Sequence, residues 1–174
     1  MRGYFFVLGL VLYTICMTAI LTNVIYVKLF MAMILGMVLG VERFVAHKTA
    51  GMRTYTLVSL GAAMFVIISG LVSAEYGVSG YDFHLVAAIV SAAGFLGVGS
   101  IIRSDMKVIG ITTATGLWVA TGIGMACGFG FYKLAAIVTM LALFAFVVLW
   151  FLEKQINKFS FMKETHDVPL DPGM

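Results

Sequence analysis

Charged residues are scarce in this sequence. Asp, Glu, Lys and Arg make up 11% of its 174 residues, whereas soluble domains average about 25%. Hydrophobic residues make up 62% of the chain, and the mean hydropathy is +1.08. This composition does not fit an ordinary soluble enzyme. It also excludes an intrinsically disordered chain, which needs low hydrophobicity and high charge.

Proline and cysteine are rare as well, with two residues of each. Few prolines and 19 glycines suit helices packed in lipid, where Gly is more frequent than in soluble helices. Both cysteines, Cys16 and Cys127, fall within predicted membrane spans, so no disulfide framework is implied. The sequence also lacks Cys-x-x-Cys, His-Glu-x-x-His, Walker and nucleophile-elbow motifs. We therefore predict that the chain is not an enzyme.

Long apolar runs fill the chain between its few charges. A helix crosses a hydrocarbon core of about 30 Å with roughly 20 apolar residues. The run from Gly3 to Val41 is about twice that length, so we expect it to fold back at Thr22-Asn23. The sequence thus predicts an all-α, polytopic transmembrane bundle of about six helices. Their predicted spans are Tyr4 to Leu21, Val24 to Val41, Thr54 to Val72, Leu85 to Ile102, Gly110 to Cys127 and Leu134 to Leu152.

The alternative for the first run is a single long helix that continues along the membrane surface. Such a helix needs a strongly polar face, which the segment Phe30 to Leu39 does not supply. We therefore prefer the hairpin. In the hairpin, Lys28 lies about one turn inside the second helix and extends its ammonium group to the interface.

The distribution of Lys and Arg predicts the orientation, because short cytoplasmic loops carry an excess of both. With both termini inside, only Lys28 and Lys133 lie outside. We therefore predict a transmembrane domain over residues 1–153 and a short cytoplasmic tail over residues 154–174. The cytoplasmic cations are Arg2, Arg43, Lys48, Arg53, Arg103, Lys107, Lys154, Lys158 and Lys163.

Small residues recur at a spacing of four in two of the predicted helices. Such stripes let helix backbones approach closely. Packing within one bundle and a homodimer seam are the two interpretations. The stripes are Ala32, Gly36 and Gly40 in the second helix and Gly116, Ala120, Gly124 and Gly128 in the fifth; Gly94 and Gly97 are assigned to packing too.

The predicted spans place no acid, base or imidazole deep in the bilayer, where a carrier or proton relay usually needs one. The deep polar groups are hydroxyls and thiols, and we expect most of them to hydrogen-bond within or between helices. A magnesium pathway is poorly supported, since that ion prefers carboxylates and retained water. We predict no cofactor and no metal site. The alternative to this prediction is a bound Mg²⁺. A minor alternative is weak binding of a divalent cation by Glu75, Asp82 and His84.

The predicted inner surface carries a positive excess. Its two loops, Glu42 to Arg53 and Arg103 to Lys107, hold five cations and two acids, and two helices begin beside them with free N–H groups. This arrangement favours an anionic contact: a phospholipid head group, a phosphate-bearing solute or an acidic partner protein. The alternative is that the acids pair with arginines while the remaining cations face anionic lipid. The candidate residues are Glu42, Arg43, Arg53, Thr54, Arg103, Asp105, Lys107, Thr112 and Thr113.

Four sequence blocks, residues 40–43, 50–63, 94–103 and 110–118, resemble the membrane domain of the MgtC/SapB family in content, order and spacing. The resemblance covers roughly Lys28 to Leu152. The matching motif positions are Gly40, Glu42, Arg43, Gly51, Arg53, Thr54, Gly94, Gly97, Gly99, Arg103, Gly110, Thr112, Thr113 and Trp118. Cys127 sits where some members have a cysteine, and we expect a structural role for it.

The resemblance implies a bacterial inner-membrane protein with a five-helix core, preceded here by an extra helix. Members are associated with growth at low magnesium and with survival in the host, that is, with virulence. They are viewed as regulators of membrane machinery such as ATP synthase and transport ATPases. The implied function is regulation through contact with lipid or other membrane proteins, without nucleic acid. An oligomeric transporter or channel for magnesium or another ion, and a structural assembly factor, are the alternatives.

The chain departs from the family pattern at three positions. Ala88 stands where Gln is common, Ala92 where Gly is common and His84 where Arg is usual. The missing Gln puts any function that depends on that polar group in doubt. Many members also carry a soluble C-terminal domain. Residues 160–174 are too short to fold alone, so we expect no regulation through such a domain.

Overall fold

The structure is a computed structural model that describes residues 2–77, 83–104, 107–152 and 154–155. It is a helical membrane bundle, so the predicted all-α class is confirmed. The elements are α1 (Arg2–Val45), α2 (Met52–Glu75), α3 (Phe83–Gly99), β1 (Ile102–Ser104), β2 (Lys107–Ile109), α4 (Ile111–Phe129) and α5 (Tyr132–Phe144), followed by a π-helical segment (Ala145–Leu149).

Helix α1 is continuous, so the turn predicted at Thr22-Asn23 is wrong and one helix replaces the first two predicted ones. Between Leu10 and Leu35 the sequence has neither Gly nor Pro. Thr and Asn disfavour a helix by only about 0.7 kcal/mol each, against about 3 kcal/mol for Pro. The local signal is therefore too weak to break the helix. The predicted cytoplasmic location of the N terminus depended on this turn and stays a prediction.

Three described helical stretches are long and apolar enough to cross a membrane: Leu21–Val45, Met52–Glu75 and Tyr132–Leu152. Helix α3 is also apolar but has 17 residues. Helix α4 differs from these because ten of its 19 residues are buried and it contacts α1, α2, α3 and α5. It is the central helix of the bundle, which explains its Gly, Ala and Thr content: its neighbours are protein rather than lipid.

A small hairpin joins α3 to α4 where the sequence predicts a loop. Strands β1 and β2 pair antiparallel, with Ile102 opposite Ile109 and Arg103 opposite Val108. The span predicted to end at Ile102 therefore ends earlier, at Gly99. Gly110 links the hairpin to α4 with φ at 101°, and a Cβ there would collide with the Ser100 carbonyl. Only glycine adopts this conformation without strain.

Helices α1, α2 and α4 approach most closely around Ser59 of α2, which is fully buried. The Ser59 Oγ donates a hydrogen bond to the Ala32 carbonyl of α1 at 2.8 Å. A Cβ added to Gly36 of α1 would lie 2.7 Å from the Ser59 Cβ, and one added to Gly124 of α4 would lie 2.9 Å from the Ser59 Cα. We call this contact of Ala32, Gly36, Ser59 and Gly124 the Ser59 seam.

The other small residues also pack within the chain. Both stripes, on α1 and on α4, face α2, so a homodimer, which stays a prediction, would use another surface. A Cβ added to Gly40 would meet Met52, one added to Gly116 would meet Tyr55 and Phe146, one added to Gly128 would meet Val66 and Ala63, and one added to Gly97 would meet Ala114. A Cβ added to Gly94 would face open space. Ala120 is fully buried.

Two of the deep hydroxyls that the sequence predicts to hydrogen-bond within or between helices donate to carbonyls of their own helix. Thr121 donates to the Leu117 carbonyl at 3.0 Å, and Thr139 donates to the Ala135 carbonyl at 2.8 Å. Together with the Ser59 bond to α1, these contacts use the buried hydroxyls for helix structure and helix packing.

We predict that Gly124→Ala destabilises the bundle by about 1 to 3 kcal/mol, the usual cost of overpacking. The new methyl group would press on the Ser59 backbone and separate α2 from α4. Thermal unfolding in detergent measures the effect. Gly122→Ala is the matched control, because a Cβ there meets nothing within 4 Å. Equal unfolding temperatures for the two variants would contradict the prediction.

Candidate functional site

Three helices meet at one end of the bundle, where α1 ends and α2 and α4 begin. Thr49, in the turn after α1, donates to the Thr113 hydroxyl of α4 at 3.5 Å. Tyr55 of α2 donates to the Thr113 carbonyl at 3.3 Å. The cations Arg43, Lys48 and Arg53 lie at this end, which we call the basic end.

Arg43 is the buried charge of the basic end, with 2% of its surface exposed. Its Nε is paired with Glu42 Oε2, and its Nη2 donates to Glu42 Oε1 at 2.7 Å. Its guanidinium also lies 3.7 Å from the centre of the Phe146 ring, in the π-helical segment. A buried cation is stable only with such compensation. The structure thus shows the Glu42 part of the alternative in which the acids pair with arginines. Asp105, the other acid of that alternative, lies outside the described residues.

Tyr55 and Gly116 pack beside Arg43, Glu42 and Phe146, on the side nearer the middle of the bundle. Tyr55 is fully buried and reaches α4 through its bond to the Thr113 carbonyl. A Cβ on Gly116 would collide with the Tyr55 hydroxyl and would lie 2.9 Å from the Phe146 Cζ. Gly116 therefore makes the space in which the tyrosine of α2 and the phenylalanine of the π-helical segment meet α4.

A cavity of about 820 Å³ lies beside Arg43, within the size range of small-molecule sites. We call it the basic-end cavity. Its polar lining comes from the end of α1, the following turn and the first turns of α4. Its apolar lining comes largely from the π-helical segment. The polar residues are Glu42, Arg43, His47, Lys48, Thr112 and Thr115, and the apolar ones are Val45, Ala46, Ala145, Phe146, Val147, Leu149 and Trp150.

His47 closes α1 in a left-handed conformation, with φ at 53°. The Lys48 N–H donates to the Arg43 carbonyl at 3.0 Å, and the His47 N–H donates to the Phe44 carbonyl at 3.1 Å. This is the Schellman pattern, in which Gly is the usual residue at the position that His47 occupies. The His47 Nδ1 also lies 2.9 Å from the Val45 carbonyl oxygen. The turn therefore holds an imidazole at the cavity wall.

The N-terminus of α4 adds a positive dipole end to the same wall. Its N-cap residue is Gly110, which has no side chain that could bond to the first N–H groups of the helix. Thr112 and Thr115, in the first turns, line the cavity, and the Thr115 hydroxyl donates to the Thr112 carbonyl at 3.0 Å. The wall thus combines a lysine, hydroxyls and helix N–H groups.

The structure brings only part of the predicted contact set together. Glu42, Arg43 and Thr112 line the cavity, and Thr113 lies beneath it. Arg53 and Thr54 are exposed on the first turn of α2 and do not line it. Arg103 and Lys107 hold backbone positions on β1 and β2, and Asp105 lies outside the described residues.

Two further predicted residues lie away from this end. Trp118 is exposed on α4 and lines a separate apolar cavity of about 290 Å³ with Leu134 and Val138. Cys127 is fully buried in the apolar core, in keeping with the structural role expected for it.

Sequence reasoning missed several residues of the site. Tyr55 and Phe146 carry no motif, and their contacts with Thr113 and Arg43 join distant parts of the chain. His47, Lys48 and Thr115 were not selected, although Lys48 counts among the loop cations. No sequence signal places a π-helical segment at 145–149. Within the described residues, no group of three or more His, Cys, Asp or Glu side chains could hold a metal ion.

Comparison with known proteins identifies the family of this chain. The family model described as the MgtC family matches residues 29–155. This chain belongs to the MgtC family. The match begins after the first half of α1 and includes the whole basic-end cavity. No solved structure matches the chain.

Curated relatives share part of their length with this chain. Protein MgtC of Brucella abortus is 41% identical over 99 residues, which are 57% of this chain and 40% of that protein. Protein MgtC of Salmonella typhimurium is 38% identical over 123 residues, 71% of this chain and 51% of that protein. The putative magnesium transporter YhiD of Escherichia coli is 34% identical over 123 residues, which are 64% of this chain and 55% of that protein. The chain spans about half the length of these relatives.

We predict that Glu42→Gln destabilises the protein by about 3 to 5 kcal/mol, because it leaves a buried guanidinium without its carboxylate. Thermal unfolding in detergent measures the loss. The double variant Glu42→Gln, Arg43→Met should recover part of it, since the uncompensated charge is then gone. Lys133→Gln, an exposed change at the other end of α5, is the control. A single variant as stable as the control would contradict this account of Arg43.

We predict that His47→Gly stabilises the fold by about 1 to 2 kcal/mol, the cost of a left-handed conformation for a residue with a Cβ. His47→Ala keeps that cost and removes only the imidazole, so it separates the two contributions. Unfolding temperatures of both variants provide the measurement. A His47→Gly protein less stable than His47→Ala would show that the turn does not strain the backbone.

Proposed function

We propose that this MgtC-family protein is a regulator that acts by contact at its basic end and has no catalytic activity. The observation that carries the proposal is the basic-end cavity, in which a cation-bearing turn, a helix N-terminus and an apolar wall meet. The middle of the bundle, by contrast, is filled by the Ser59 seam. Groups able to recognise a partner thus lie at the end of the molecule.

In this proposal the chain is a multi-pass protein of the bacterial inner membrane, and the basic end faces the cytoplasm. Support comes from Lys48 and Arg53, which are exposed at that end, and from the preference of cations for the cytoplasmic side. At the opposite end, Lys28 lies close to Gly130 in the turn between α4 and α5. Its neighbourhood fits an interface, where the ammonium group can reach water.

The partner in this proposal is another membrane protein, such as ATP synthase or a transport ATPase. The setting is adaptation to low magnesium and survival in a host. Both follow from the family resemblance. Exposed apolar residues flank the basic end, including Phe44 and Val45 at 68% exposure each. They offer a membrane partner an apolar surface next to the cations.

A second candidate function is an oligomeric transporter of magnesium or another ion. The name of the Escherichia coli relative, putative magnesium transporter YhiD, favours it. The buried hydroxyls count against it, because Ser59, Thr121 and Thr139 donate to helix carbonyls. A path through the bundle would have to break these bonds or run between several chains.

We predict that a photo-crosslinking residue at position 48, in native membranes, captures one abundant membrane protein. The cavity wall that bears Lys48 is the proposed contact. The same crosslinker at position 133, which is exposed at the opposite end, is the matched control and should not capture that protein. Equal capture from both positions, or capture of lipid alone, would overturn the regulatory proposal.

We predict that the purified protein in proteoliposomes gives no more magnesium influx than empty liposomes. The closed packing at the Ser59 seam is the physical reason. A magnesium-sensitive dye inside the vesicles reports the flux. Influx that rises with the amount of protein and falls in a Ser59→Leu variant would favour the transporter instead.

A further inference from the structure

The basic-end cavity has two chemically different walls. One wall carries Lys48, His47 and the Thr112 and Thr115 hydroxyls. The other is the π-helical segment and Trp150, whose Val147, Leu149 and Trp150 side chains are about half exposed. A purely polar solute would use the first wall only, and a purely apolar one would leave the first wall without a partner.

The polar wall has an unbalanced positive charge. The charge of Arg43 is neutralised by Glu42 through the ion pair. Lys48 therefore supplies the excess, and the N-terminus of α4 adds its dipole beside Thr112. A monoanion with several acceptor oxygens matches this set, because the lysine, the Thr112 hydroxyl and the helix N–H groups can all donate hydrogen bonds to it. The Thr115 hydroxyl already donates to the Thr112 carbonyl.

In the orientation proposed above, the apolar wall lies near the membrane surface. Trp150 belongs to it, and Trp is enriched at membrane interfaces. Lys154 extends over the Trp150 ring, with its Nζ 5.4 Å from the ring centre. In that orientation the cavity lies at the depth where a phospholipid joins its head group to its acyl chains.

From these observations we propose that the basic-end cavity binds the phosphate head group of an anionic phospholipid, with the start of an acyl chain along the π-helical segment. The inference rests on the proposed function only in placing this end at the membrane surface. A free phosphate ion shares the head-group chemistry but gains nothing from Phe146, Val147 and Leu149. The lipid is therefore the occupant that satisfies both walls.

The test measures lipid retained by the purified protein. The wild type and variants are extracted from nanodiscs made of equal parts phosphatidylglycerol and phosphatidylcholine, and the retained lipid is counted by native mass spectrometry. Lys48→Glu reverses the charge of an exposed side chain, so the fold should survive it. Lys133→Glu makes the same change at the opposite end and is the matched control.

The proposal predicts that the wild type and Lys133→Glu retain phosphatidylglycerol in preference to phosphatidylcholine. In Lys48→Glu, retention of phosphatidylglycerol should fall at least about fivefold, as expected for one cation near a membrane surface. Leu149→Gln should also weaken retention, because it changes only the apolar wall. Equal retention by Lys48→Glu and Lys133→Glu would overturn the proposal.

A second arm separates lipid from free phosphate. Glycerol 3-phosphate is added to the loaded protein over a concentration series. The proposal predicts that it does not displace phosphatidylglycerol, since it lacks the acyl chain. Displacement by soluble phosphate at matched concentration would overturn the assignment to lipid.

This outcome is separable from that of the proposed function. Lipid retention is measured on purified protein, and partner capture is measured in native membranes. Unchanged lipid retention in Lys48→Glu, with protein capture from position 48, overturns the lipid site alone. Loss of lipid in that variant, with no protein captured, overturns the regulatory contact alone.

Discussion

The close approach of three helix backbones at Ser59 is the constraint on which the rest of the structure depends. Gly36 and Gly124 put no side chain of α1 or α4 against Ser59 of α2, and the Ser59 hydroxyl bonds to the Ala32 carbonyl. Lipid supplies no hydrophobic force between helices, so close packing and such interhelical bonds hold the bundle together. With the three helices fixed there, the end of α1 and the start of α4 reach the same end of the molecule.

The packing of these helices brings the two walls of the basic-end cavity together. The Ser59 seam is closely packed, with its buried hydroxyl bonded to α1. Arg43 lies at the end of the bundle, buried against Glu42 and Phe146. The cation over Phe146 ties α1 to the π-helical segment. π-Helical turns are rare and often occur at functional sites. The segment supplies the apolar half of a cavity whose polar half comes from α1 and α4.

Much of this could be predicted from the sequence, and the physical reasons for the rest are specific. The stripes of small residues predicted close helix packing. Glu42, Arg43 and Thr112 belong to sequence blocks that resemble the family. Nothing local identified Ser59 or Phe146 as their partners, because those contacts join helices far apart in the chain. The turn at Thr22-Asn23 failed because neither residue breaks a helix strongly. His47 was missed because its left-handed turn is one in which glycine is the usual residue, and the sequence has no glycine there.

Thiol labelling from each side of the membrane shows whether the cavity opens at one face and is closed by the Ser59 seam. A cysteine replaces Lys48 in a Cys16→Ser, Cys127→Ala background, and a membrane-impermeant maleimide is added to inside-out or right-side-out vesicles. We expect the cysteine at position 48 to be labelled from the cytoplasmic side only. Labelling of the same cysteine from both sides would mean an open path through the bundle and would contradict this expectation.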